Sequence, residues 1–426
     1  MMLSMICGGR ELPFEVSDRN VLWELRPNDL PPVEDDVAAI GEALDNPIGS
    51  PRLDELVGGG MRVVILADDF TRPTPRKRLL PVMLDQLNGA GVPDQDISII
   101  IAVGAHRYMS DREIRESFGE EVVSRVEVIN HRWMDPEELV DLGTTRNGTP
   151  VTINRRAYEA DLLIGLGSIV PHCFAGFSGG AKIVQPGISG SVTTAATHFL
   201  ICQEEDQVLR FAGTMRNRVM EEMREVARRA GLRFIVNVVF NSRKELVKVV
   251  AGDPVKAHEA GMEVSRRIFV REIPARADIV IADAHPAETD MWQATKPLSY
   301  ARRTVKEGGT IIFVIAAPDG ISPTHPFLEE RGRMSFSEIR EMMRRGEVED
   351  RVAGSILMVI KKGTEGVNTI TISDGLTEEM KDRMGMEHAD SIQEALDRAL
   401  RQHGKDATVG IIHHGGDVLA VLKEEE

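Results

Sequence analysis

The sequence predicts an α/β protein of two domains, each a largely parallel sheet flanked by helices. Three observations predict it. Short β-rich apolar runs alternate with amphipathic helical patterns through most of the chain. The runs are apolar without alternation, as strands covered on both faces require. And 426 residues exceed what one ordinary core serves.

Taken in order, strands are expected at 63–67, 97–103, 126–129 and 162–165, with an amphipathic helix over 77–87. Helices at 217–230 and 254–268 bracket a further strand at 234–240. Beyond them come strands at 279–282, 310–315, 356–360 and 409–412, with helices at 336–345 and 392–401. A boundary near residue 271 divides the chain into units 1–270 and 271–426; the strand at 409–412 could pair in either. No internal repeat and no low-complexity segment interrupts this order.

Composition excludes several function classes. The formal net charge is -16, so the chain gains no counterion-release energy at a phosphate backbone and nucleic acid is not an expected partner. No run approaches the roughly 18 apolar residues that span a bilayer. The N-terminal residues lack the basic and apolar regions of a signal peptide. Cys7, Cys173 and Cys202 are odd in number and widely spaced, which fits a reducing compartment. A cytoplasmic protein is expected.

In open parallel sheets, ligands collect at the carboxyl ends of strands, and the unusual residues stand there. Asp68-Asp69-Phe70-Thr71-Arg72-Pro73-Thr74-Pro75 follows the first strand. Its adjacent carboxylates are costly to crowd together without a ligand or network, and Arg72 offers a bidentate fork to an anion; Thr74-Pro75 also reads as a helix start. Gly104-Ala105-His106-Arg107 follows the second strand. His106 reads either as a general acid/base or as a polar loop residue.

The densest segment is Pro171-His172-Cys173-Phe174-Ala175-Gly176-Phe177-Ser178-Gly179-Gly180-Ala181-Lys182. Its glycines let backbone approach a ligand closely. It is not a Walker A loop, because Lys182 is neither preceded by glycine nor followed by Ser or Thr. Covalent attachment and charge stabilisation are the roles open to that amine. His198 and Cys202 stand four apart on an expected helix, as a metal pair or simply as a packed face. Trp292-Gln293-Ala294-Thr295-Lys296-Pro297 adds a polar cluster early in the second unit.

Together, and in this order, these segments resemble the nickel-dependent lactate racemase family. The resemblance covers about residues 60–300 at motif level, and its most specific part is the segment ending at Lys182. It implies a 2-hydroxy acid racemase or epimerase with an interdomain active site. It implies a cofactor too: nickel held in the S-C-S pincer of pyridinium-3,5-bisthiocarboxylic acid mononucleotide, attached covalently at Lys182 and made by separate biosynthesis proteins. His198 matches the histidine that completes a planar nickel set, a geometry Ni(II) accepts readily. His106 and His172 match the acid/base pair. Arg72 and Lys296 match the cations that hold the substrate carboxylate, with Gln293 nearby. Asp69, Arg72, Ser178, Gly179 and Gly180 are expected around the cofactor. The implied chemistry is reversible transfer of the C2 hydride to the cofactor. Two other readings compete: a metal-dependent hydrolase or lyase built on Asp68, Asp69, His106 and His172, and a non-catalytic cofactor-binding protein.

Overall fold

A computed structural model describes residues 1–203 and 208–423. Among them run two six-stranded sheets with helices against their faces. The first has the order Leu246–Gly252, Leu232–Phe240, Leu162–Ser168, Val63–Asp68, Ile97–Ala102, Glu127–Asn130. All its pairings are parallel except that of Leu246–Gly252 with Leu232–Phe240. Every residue of Val63–Asp68 is buried, as a central strand covered on both faces must be. The chain runs from this strand to one side and returns on the other as Leu162–Ser168. The carboxyl ends of these two strands therefore flank a topological switch point, where such sheets open a crevice.

The second sheet has the order Glu387–His388, Asn368–Ile372, Val305–Val314, Ala277–Asp283, Val409–Ile412, Val21–Leu25, and is parallel throughout. Val409–Ile412 thus pairs beside Ala277–Asp283. The beginning of the chain joins this sheet, although sequence analysis grouped it with residues 1–270. Val21–Leu25 forms the edge, and the hairpin Met2–Cys7/Arg10–Glu15 packs Met5, Cys7 and Phe14 onto the core of the second sheet. Gly410 permits this, since a Cβ there would lie 2.2 Å from the Trp23 ring.

The apolar run 356–360, expected as a strand, lies instead in the helix Arg351–Thr364. That helix packs among Ser191–Cys202, Met291–Arg302 and Phe336–Arg345. Its residues 352–360 are all buried, which erases the helical period that would have marked it. Asn368–Ile372 takes the vacant strand position beside Val305–Val314. Because Ser191–Cys202 belongs to the first unit, its packing against Arg351–Thr364 is also a main contact between the units.

Candidate active site

The two carboxylates after the first central strand have different work. Adjacent residues of extended chain face opposite ways. Asp68 Oδ1 pairs with Arg76 Nη1 at 2.6 Å, and its Oδ2 accepts from Thr74 Oγ1 and the Ser168 backbone. Burial pushes the Asp68 carboxyl up, against the pull of Arg76. Asp68 thus ties the loop to the start of the helix Arg76–Gly89, where the Thr74 hydroxyl serves Asp68 and the helix has no side-chain cap. Asp69 faces the cavity. Its Oδ1 accepts from Thr71 and its Oδ2 lies 2.6 Å from His106 Nδ1. Burial opposes the charge on Asp69, but His106, Arg72 and Thr71 outweigh it and hold the carboxyl well below the usual range. A carboxylate at Nδ1 fixes the proton there, which leaves the His106 Nε2 lone pair available. Gln293 Nε2 lies 3.1 Å from that atom.

The glycine segment is shaped by what lies beneath it. Gly179 and Gly180 adopt φ of 78° and 53°, and a Cβ at either would sit 2.8 Å from Asn237 Oδ1 or 2.6 Å from the His258 ring. Asn237 accepts from the Gly180 N–H, and His258 Nε2 donates to the Ser178 carbonyl. The Ser178 hydroxyl donates to the Ser168 carbonyl at 2.8 Å. Ser178 and Gly179 border the cavity; Gly180 lies behind it. The turn delivers Lys182 to the cavity wall. Its amine has no hydrogen-bond partner among the described residues, and burial and then Arg72 push it down to about 7.

His172 and His198 complete the wall. His172 Nδ1 accepts from the backbone N–H groups of Phe174 and Ala175 at 3.2 and 3.3 Å. Its proton therefore resides on Nε2, the reverse of His106. Burial, with Lys182, Arg72 and Lys296 adding to it, holds the His172 pKa well below the ordinary value. His198 Nδ1 donates to the Thr194 carbonyl at 2.8 Å, which leaves its Nε2 lone pair free for a ligand bond, and burial pushes its pKa down to about 4. The Phe174 ring stands edge-on to both imidazoles. Cys202 donates to the Ser355 carbonyl of the second unit, so the helix pair His198/Cys202 is split between cavity and packing.

The second unit closes the cavity with Trp292, Gln293, Thr295 and Lys296. These belong to the helix Met291–Arg302, whose cap Asp290 accepts from the Gln293 N–H. The space enclosed is about 120 Å³. Lys296 Nζ pairs with Asp417 Oδ1 at 3.0 Å, and burial lowers the Lys296 pKa in spite of that partner. Asp417 was missed in the sequence, although it ends His413-His414-Gly415-Gly416-Asp417 at a strand terminus like the other clusters. Thr194 was missed as well, and Ser168, although it begins the run that follows the fourth strand, was given no role. Ser168 and Thr194 both border the cavity, and their buried hydroxyl oxygens have no hydrogen-bond partner among the described residues. Among the described residues no group of three His, Cys, Asp or Glu could hold a metal, and Asp68 is committed to Arg76. The hydrolase reading therefore lacks its carboxylate pair.

Two buried histidines, His258 beneath the glycine turn and His131 against the Ser189 carbonyl, carry a pH dependence. Burial pushes His131 and His258 down to about 4. In the unfolded chain a histidine titrates near 6.5, so below that pH the unfolded state binds more protons. Their contribution to stability is complete above about pH 6.5 and is lost as pH falls toward about 4. The urea midpoint is expected to drop steadily across this window; a level midpoint would contradict the assignment.

Two parallel-sheet units closing on imidazoles, cations and an amine without a hydrogen-bond partner among the described residues define an α/β enzyme with a candidate site in the cleft between them. The chain belongs to the lactate racemase family. Residues 7–209 match the lactate racemase N-terminal domain and residues 272–420 the lactate racemase C-terminal domain. The lactate racemase of Lactiplantibacillus plantarum is 34% identical over 393 residues, covering 89% of this chain and 90% of that one. The lactate racemase of Thermoanaerobacterium thermosaccharolyticum is 34% identical over 320 residues, 74% of each chain. The structure of the lactate racemase apoprotein from T. thermosaccharolyticum superposes with a TM-score of 0.89 at 29% identity, covering 99% of this chain and 100% of that one. No helix in the described residues is long and apolar enough to cross a membrane.

Proposed function

We propose that this protein racemises a short 2-hydroxy acid, lactate or a close relative, with a nickel-pincer nucleotide attached at Lys182. The observation that carries the reading is the unpartnered Lys182 amine, held near neutrality in a cavity walled by imidazoles of opposite tautomer. An amine with a pKa of about 7 is substantially unprotonated at neutral pH and keeps its lone pair for nucleophilic attachment. The orphaned hydroxyls of Ser168 and Thr194 fit a polar ligand on the same wall. With no cluster among the described residues able to hold a metal unaided, the pincer nucleotide would supply most of the metal's donors and the neutral His198, oriented by its Thr194 contact, one more.

When bound, the nickel-pincer nucleotide supplies a reversible acceptor for the substrate's C2 hydride. The chain's own groups do the rest. Arg72 and Lys296 face the cavity from different units and would clamp the substrate carboxylate, fixing C2 in place. His106 presents a lone pair at Nε2, backed by Asp69, and would take the hydroxyl proton. His172 presents N–H at Nε2 and would hold the same oxygen from another side. To accept a proton at Nε2 itself, His172 must exchange tautomer and release its two backbone contacts. Closure of the second unit keeps water from the oxidised substrate.

The test uses enzyme loaded by its cofactor-making partner proteins. Single enantiomers of several 2-hydroxy acids are incubated in heavy water and resolved by chiral chromatography. Racemisation with protium retained at C2 is expected. Deuterium at C2 in every inverted molecule would replace hydride transfer by deprotonation, and no racemisation of any acid would remove the function.

A further inference from the structure

The cleft is crossed beside His106 by a histidine that the reaction does not use. His325 stands in the loop before the short helix Phe327–Glu330 and is 2% exposed. Its Nδ1 lies 2.6 Å from Asp350 Oδ2, and its Nε2 lies 3.0 Å from the carbonyl oxygen of Ala105. A carboxylate and a carbonyl are acceptors only. Both ring nitrogens must then carry hydrogen, so the contacts make His325 an imidazolium.

Its surroundings suit a cation. The ring stacks on Trp292 at 4.0 Å between centroids, with planes 14° apart, and on Trp133 at 6.1 Å. Aromatic faces attract a cation, most strongly when both are desolvated. Asp350 is itself anchored as the cap of the helix Arg351–Thr364, where it accepts from Ala353 N at 3.0 Å. These partners come from both units. Trp133 and Ala105 belong to the first, Trp292 and Asp350 to the second. Ala105 precedes His106, and Trp292 precedes Gln293, which touches His106 Nε2.

We propose that His325 is a positioning residue, an imidazolium bolt that fastens the second unit to the Ala105-His106 turn and so sets His106 in the cavity. Its link to catalysis rests on the function proposed above; the bolt itself needs neither cofactor nor substrate. A neutral imidazole cannot do the same, because it donates from one nitrogen only and must release one of the two acceptors.

The apoprotein reports on the bolt without any activity. The chain has three tryptophans, two of which stack on His325, and an imidazolium in contact quenches indole emission. His325→Gln is expected to raise tryptophan emission and to speed amide exchange in residues 103–107 while the strands of both sheets keep their protection. Asp350→Asn, which keeps size and removes the charge partner, is expected to do the same to a smaller extent. In loaded enzyme, losing one charge-assisted bond of this kind should lower kcat/KM about 10- to 100-fold. Folded variants with unchanged emission and unchanged exchange at 103–107 would overturn the bolt, whatever their activity. If those signals move as expected while loaded wild-type enzyme racemises nothing, the bolt stands and the proposed function fails.

Discussion

Replacing Lys182 by alanine is expected to leave a folded protein that carries no covalent nucleotide and racemises nothing. The amine forms no hydrogen bond among the described residues, and burial already disfavours its charge. Its removal therefore breaks no network, and the stability change should stay within about 1 kcal/mol. Function should respond in full, because no neighbouring side chain offers a second amine at that place; Lys296 is engaged by Asp417 across the cavity. Intact-protein mass spectrometry after co-production with the cofactor-making proteins reads the result directly. The wild-type chain gains a nucleotide-sized mass and Lys182→Ala does not. Equal adduct masses on both would place the attachment elsewhere and withdraw the role given to the glycine turn.

Much of this site was legible because strand ends and glycines advertise themselves. Asp68 to Arg72, Gly104 to His106 and Pro171 to Lys182 each follow a near-continuous apolar run, and each reaches the same crevice in the structure. The division of labour within Asp68-Asp69 was not legible. It depends on which carboxylate faces Arg76 and which faces His106, a matter of side-chain direction at the strand terminus. Nor was His325, a lone histidine before a proline, whose meaning arises only when the second unit brings it to Ala105. The nickel-pincer cofactor entered through family resemblance alone. The fold shows the same limits. Buried uniformly, residues 356–360 lost their helical period, and Val21–Leu25 finds its partner near the far end of the chain, where local pattern has no reach.

Asp69→Asn is expected to lower kcat by about three to four orders of magnitude, the scale seen when the carboxylate orienting a catalytic imidazole becomes an amide. The substitution preserves shape and can keep an acceptor for Thr71. It takes away the negative charge at His106 Nδ1, and an amide N–H presented there would drive the ring proton to Nε2. His106 would then match His172, which already carries its proton on Nε2 because Phe174 and Ala175 donate to Nδ1. Two donors and no acceptor would face the substrate hydroxyl, and its proton would have nowhere to go. Binding should suffer far less, since Arg72 and Lys296 remain, and the Lys182 adduct should form normally. Asp68→Asn supplies the contrast. It leaves Arg76 buried without its counter-charge, 5% exposed in its side chain, so it should cost about 3–5 kcal/mol of stability, read as a lowered urea midpoint. Comparable kcat for Asp69→Asn and wild-type enzyme at equal cofactor loading would show that the acid/base asymmetry is not used.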